Sequence, residues 1–148
     1  MDELIASTRV LLANTFVMYF KAHTFHWNIE GMHFSQYHDF FGNIYEDVYG
    51  AIDPTAEEMR ALDAYAPISL MELYNDKTIQ EETTRLVFIR DMLSSLQTAN
   101  EKVIESLNKV FDIATREKKQ GIADFVAGRI DVHNKHAWMI RSSLKEIG

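Results

Sequence analysis

The stretch His26-Trp27-Asn28-Ile29-Glu30-Gly31-Met32-His33-Phe34-Ser35 reads as the end of one helix and the start of the next. Before it, Leu4, Ile5, Leu11, Leu12, Met18, Tyr19, Ala22, Phe25 and His26 recur at helical spacing, which predicts a first long helix over about residues 2–29. Gly31 is placed to end that helix, since glycine takes up a left-handed backbone without steric cost. From Ser35 onward, His38, Phe41, Tyr45, Val48, Ile52, Met59 and Leu62 mark a second helix. The two must run antiparallel across the turn.

Pro54 interrupts the second stripe. A proline inside a helix has no N–H to donate and crowds the carbonyl four residues earlier, here that of Gly50. Taken locally, Asp53-Pro54-Thr55-Ala56-Glu57 is also a good helix start, with Asp53 as cap and proline at the first position. A kink is the favoured outcome, because Gly50 gives the backbone room to bend and the apolar stripe resumes nearly in phase.

Ala66-Pro67-Ile68 ends the pattern, and residues from Ser69 to about Asn75 predict a short connecting helix. Thr78 to Val87 lacks a period and is expected to be mainly loop. Ile89, Met92, Leu93, Leu96, Val103, Ile104, Leu107, Phe111 and Ile113 predict a third long helix over about 88–118, and Lys118-Lys119-Gln120-Gly121 a turn. Ile122, Phe125, Val126, Ile130, His133, Ala137, Ile140, Leu144 and Ile147 predict a fourth. The expected fold is all-α: one domain over 1–148, a four-helix bundle with a short extra helix in its long middle connection.

Composition narrows the chemistry. The 148 residues are 47% apolar, enough for one core, and there is no low-complexity tract to suggest a linker. With no cysteine, disulfides, thiolate metal sites and cysteine nucleophiles are excluded, and any ligands must be nitrogen or oxygen. No apolar run approaches a membrane span and no leader pattern opens the chain, so a cytoplasmic protein is expected. The net charge of −7 favours cations over DNA phosphates as partners.

The candidate ligands are His26, His38, Asp53 and Glu57. Glu30-Gly31-Met32-His33 has the letters of a Glu-x-x-His motif, but the turn at Gly31 denies it helical i, i+3 geometry. His26 and His38 flank the turn at equal distances, so the hairpin sets both imidazoles at one level. Asp53 lies fifteen residues beyond His38, about 22 Å along a helix, whereas a metal needs its ligands within about 2–2.5 Å. One subunit therefore cannot close this site. A twofold axis near Tyr45 and Glu46 would bring Asp53 and Glu57 of one chain to His26 and His38 of another, giving two identical sites per dimer. The same residues also suit a plain structural account: His26 as an interfacial core histidine, Asp53 as a cap and Glu57 as its solvated i+4 neighbour.

The segment Thr24-Phe25-His26-Trp27-Asn28-Ile29-Glu30-Gly31-Met32-His33-Phe34, with His38 twelve residues after His26 and then Asp53 and Glu57, resembles the Dps miniferritins, ferritin-like proteins also called DNA-binding proteins from starved cells. Ile89-Arg90-Asp91-Met92-Leu93 and Lys135-His136-Ala137-Trp138-Met139 add support, and the likeness covers nearly the whole chain. It implies a hollow dodecamer that binds Fe(II) between subunits, oxidises it with hydrogen peroxide in preference to dioxygen, and stores ferric mineral. It also implies that His26 and His38 of one subunit and Asp53 and Glu57 of another are the ferroxidase ligands, with Trp27 beside them to donate or quench an electron. Imidazole with carboxylate suits iron, with zinc as competitor.

The chain departs from that family at Gly42, where an acidic residue usually follows His38 by one turn, and the substitution leaves either a weak second iron or a role for Asp39 or Glu46. On the fourth helix, Asp124 and Asp131 share a face with Gly128; the resemblance implies that they lie at a threefold pore that admits cations, and an ordinary exposed face is the plain alternative. Asp39, Asn43, Glu46 and Asp47 are candidates for a mineral-facing surface. Lysine-rich tails, through which members of the family bind DNA, are missing, so direct DNA binding is disfavoured. The alternatives are a non-catalytic or DNA-protecting cage with a degraded site, and a small bundle acting only as a binding module.

Overall fold

The computed structural model describes residues 1–145 and contains, among them, six helices: α1 (Asp2–Asn28), α2 (Phe34–Gly50), α3 (Ile52–Ala61), α4 (Leu70–Asp76), α5 (Ile89–Arg116) and α6 (Gln120–Leu144). With α2 and α3 taken as one interrupted rod, they form the expected four-helix bundle with its short extra helix. Ile147, counted on the fourth stripe, lies outside the described residues.

The heptad-spaced Leu4, Leu11, Met18 and Phe25 carry α1 through the centre of the core, where it packs on α2, α3, α4 and α5, while α5 pairs with α6. Phe41, Ile44 and Val48 meet it from α2, Leu96, Val103 and Val110 from α5, and Val126 and Ile140 from α6. Truncating a side chain such as fully buried Phe41 to alanine costs about 3–5 kcal/mol through lost transfer energy and the cavity left behind.

Gly31 ends the hairpin as expected, at φ +109°. The interruption by Pro54 falls earlier than its local sequence suggests. Ala51, not Asp53, holds the N-cap position of α3, and Asp53 and Pro54 both lie in its first turn. Proline is harmless there because first-turn N–H groups have no helical acceptor to lose. Ala51 keeps right-handed torsion angles (φ −88°, ψ −13°) and accepts from the Thr55 N–H at 3.2 Å, so the joint is one tightened residue within a nearly continuous rod.

The loop over 78–87 is irregular but fastened. Asn14, fully buried on α1, accepts the backbone N–H groups of Thr78 (2.8 Å) and Ile79 (3.2 Å) and donates to the hydroxyls of Thr78 (2.8 Å) and Ser106 (2.9 Å). Farther along, Lys21 bonds Glu82 and Ser95 at 3.0 and 2.9 Å. Ser69 caps α4 by accepting from the Glu72 N–H at 3.2 Å. The turn between α5 and α6 is tighter than expected: Lys118 takes positive φ (59°), and Gln120 and Gly121 already belong to α6.

Candidate metal half-sites

The hairpin brings His26 of α1 and His38 of α2 face to face, with ring centroids 3.7 Å apart and planes 19° from parallel. Each ring is tied to the other helix. His26 Nδ1–H donates to the His38 carbonyl at 2.7 Å, and His38 Nδ1–H donates to the His26 carbonyl at 2.8 Å. This exchange fixes tautomer and orientation and leaves Nε2 of both rings as the lone-pair nitrogen, as metal-binding imidazoles require. Both rings are half-buried.

An aromatic group backs them. His23 stacks on Tyr45 at 3.9 Å and 7°, lies 4.0 Å from Trp27, and its Nδ1 is 2.9 Å from the Tyr19 hydroxyl. Burial, then the nearby His26, lowers the His23 pKa. Trp27 is 56% exposed at the edge of this group.

Asp53 and Glu57 are both exposed, one turn apart on α3. The hydrogen bond and the charge that Glu57 receives from Asp53 raise its pKa. Two neighbouring carboxylates repel each other when both are ionised, and a cation between them relieves that repulsion. Among the described residues, no three His, Asp or Glu side chains converge as one metal cage. Within one chain the imidazole pair and the carboxylate pair do not join in one group of ligands.

The ferritin-like domain model matches residues 6–148. The chain belongs to the ferritin-like family, in its Dps branch. It is 31% identical over 136 residues to an uncharacterized low temperature-induced protein of a Nostoc species, covering 90% of this chain and 75% of the relative. It is 28% identical to the DNA protection during starvation protein of Brevibacillus brevis, covering 90% and 89%. Dps from Vibrio cholerae O1, described as a member of a broad superfamily of ferritin-like diiron-carboxylate proteins, superposes with TM-score 0.92 at 26% identity over 97% of this chain and 90% of its own. Dps from Thermosynechococcus elongatus superposes with TM-score 0.95 at 23% identity, over 99% and 92%, a likeness of fold.

In this Dps chain the residues expected elsewhere fall as follows. Asp124, Gly128 and Asp131 are exposed on α6, and Asp131 forms an ion pair with Lys135 at 3.3 Å. Asp39, Asn43 and Glu46 are exposed on α2. Asp47, grouped with them from sequence, turns inward instead. Arg129 of α6 grips both of its oxygens at 3.0 and 2.9 Å, and His136 Nε2–H donates to it at 2.7 Å. Burial pushes the Asp47 carboxyl upward, but the bonds from His136 and Arg129 and their charge win and hold it well below the usual range. His133, 1% exposed, accepts from Arg129 at 2.9 Å and donates through Nδ1 to Asn100 at 2.8 Å, and burial together with Arg129 and His136 lowers its pKa to about 3. Sequence reasoning placed His133 on an apolar stripe and missed this network. The available signal was Arg129, His133 and His136 recurring on one face of a helix. No helix among the described residues is long and apolar enough to cross a membrane.

Proposed function

We propose that this chain is an iron-sequestering ferroxidase: Fe(II) binds as substrate between paired subunits, is oxidised with hydrogen peroxide in preference to dioxygen, and is stored as ferric mineral in a shell of twelve. The observation that carries this reading is the reciprocal bonding of His26 and His38, which prepares two Nε2 atoms for a cation before one arrives. The partner's Asp53 and Glu57 complete the site as two carboxylates and stabilise the ferric product by charge. Trp27, at the rim, donates or quenches single electrons. An apolar groove of about 450 Å³ between α1 and α4, lined by Phe16, Phe20, Leu70, Met71 and Tyr74, supports burial of this face by another subunit. Asp124 and Asp131 line the cation entry in such a shell, with Lys135 moderating the field at Asp131. Zinc, suited to the same donors, competes for the site, and the cytoplasm is the expected location.

Anaerobic addition of Fe(II) followed by peroxide should give rapid oxidation and a soluble iron core in particles of twelve-subunit mass. Unchanged oxidation in an Asp53→Asn, Glu57→Gln double variant would overturn the site, and a monomeric or dimeric mass by light scattering would overturn the shell. The alternative of a cage that shields DNA without oxidising iron draws on the name of the Brevibacillus relative. The charge of −7 per chain opposes it, and a DNA mobility shift at physiological salt without divalent cations would favour it.

A further inference from the structure

Gly42 follows His38 by one helical turn and is buried. A Cβ built on it would lie 3.1 Å from His26 Nδ1 and 3.2 Å from His26 Cε1, closer than a carbon normally sits to a ring. The position is therefore filled, and what fills it is the His26 imidazole. That ring has little freedom to retreat. It stacks on His38 on one side, and its Nδ1–H is committed to the His38 carbonyl at 2.7 Å. Moving it a few tenths of an ångström strains the bond that fixes its tautomer.

Two consequences follow for ligand number. Gly42 offers no side chain toward the imidazoles, and one added there would have to push the His26 ring back by a few tenths of an ångström. Glu46, the next acidic residue beyond it toward the face of His38, starts eight residues on, about 12 Å along the axis. This half of the site thus supplies neutral nitrogen donors, and the other half supplies two carboxylates. Their full charge of −2 neutralises one divalent cation, and a second cation would leave two positive charges unbalanced in a covered interface.

We propose that each inter-subunit site takes a single divalent cation, and that Gly42 sets this number as a positioning residue by letting the His26 ring lie directly on the α2 backbone. This rests on the reading of His26, His38, Asp53 and Glu57 as one shared site. Co(II) is the probe, since it neither turns over nor mineralises under anaerobic conditions and its visible bands report coordination.

Titration of the full-length assembled protein, followed by calorimetry and by those bands, should give one tight Co(II) per subunit that is lost in the Asp53→Asn, Glu57→Gln variant. Gly42→Ala, with mass and far-UV ellipticity unchanged, should bind Co(II) roughly tenfold more weakly with altered bands, the size of effect seen when a partner orienting a ligand histidine is disturbed. Two tight ions per wild-type subunit, both lost in the double variant, would overturn the single-cation proposal and leave the shared site standing. Co(II) binding that the double variant does not affect would overturn the shared site itself. Wild-type affinity and bands in Gly42→Ala would overturn the role of Gly42, and the wild-type stoichiometry is decisive whether or not that variant assembles.

Discussion

Lowering the pH from 7.5 to 4.5 protonates a histidine with ordinary pKa in the unfolded chain, whereas His133 in the folded chain stays neutral because its pKa has fallen to about 3. The unfolded state then binds more protons than the native state, so stability falls as pH falls, beginning near 6.5 and continuing toward 3. At pH 4.5 the unfolded ring is almost fully protonated and the folded one almost fully neutral, so His133 alone accounts for a loss of about 3 kcal/mol. Asp47, whose folded pKa is depressed, keeps its contribution through this window and loses it only as pH falls through the ordinary carboxylate range and below. The two groups are thereby separated on the pH axis. His133→Gln retains a donor for Asn100 and an acceptor for Arg129 but has no proton to bind. Urea unfolding at fixed protein concentration should show the wild type losing about 3 kcal/mol more than His133→Gln between pH 7.5 and 4.5, a midpoint difference of about 1–3 M. Parallel profiles for the two proteins would refute the idea that a neutral His133 is built into the core.

Asp47→Ala should destabilise by about 3 kcal/mol or more at neutral pH in urea unfolding, because it strands the Arg129 guanidinium in a largely buried setting. Asn14→Ala should cost about 2–4 kcal/mol and expose the Thr78 and Ile79 amides to rapid hydrogen exchange, since both lose their acceptor. Co-assembling a His38→Ala chain in equal amount with an Asp53→Asn, Glu57→Gln chain should restore about a quarter of the tight Co(II) sites, because half the pairs are mixed and each mixed pair regains one of its two sites. No recovery in the mixture would contradict a site shared between subunits.

The long helices were legible because their apolar periods are strong: the stripe from Leu4 to Phe25 buries almost as written. The level pairing of His26 and His38 was legible too, since a turn at Gly31 fixes it by symmetry. What sequence spacing could not reveal was orientation around an axis. Asp47 and Glu46 are neighbours, yet one is drawn inward by Arg129 from a helix more than eighty residues away while the other stays in solvent. Proline likewise announced a disturbance without its exact place, because the first turn of α3 tolerates Pro54 and moves the joint back to Ala51. At Gly42 a missing carboxylate was visible from the letters alone, but not that the His26 ring occupies its space.

The guanidinium of Arg129 has one more implication. The interior acidic group between α2 and α6 carries its own permanent counter-charge, supplied by the chain and never exchanged. The fold therefore needs no bound cation to neutralise this carboxylate.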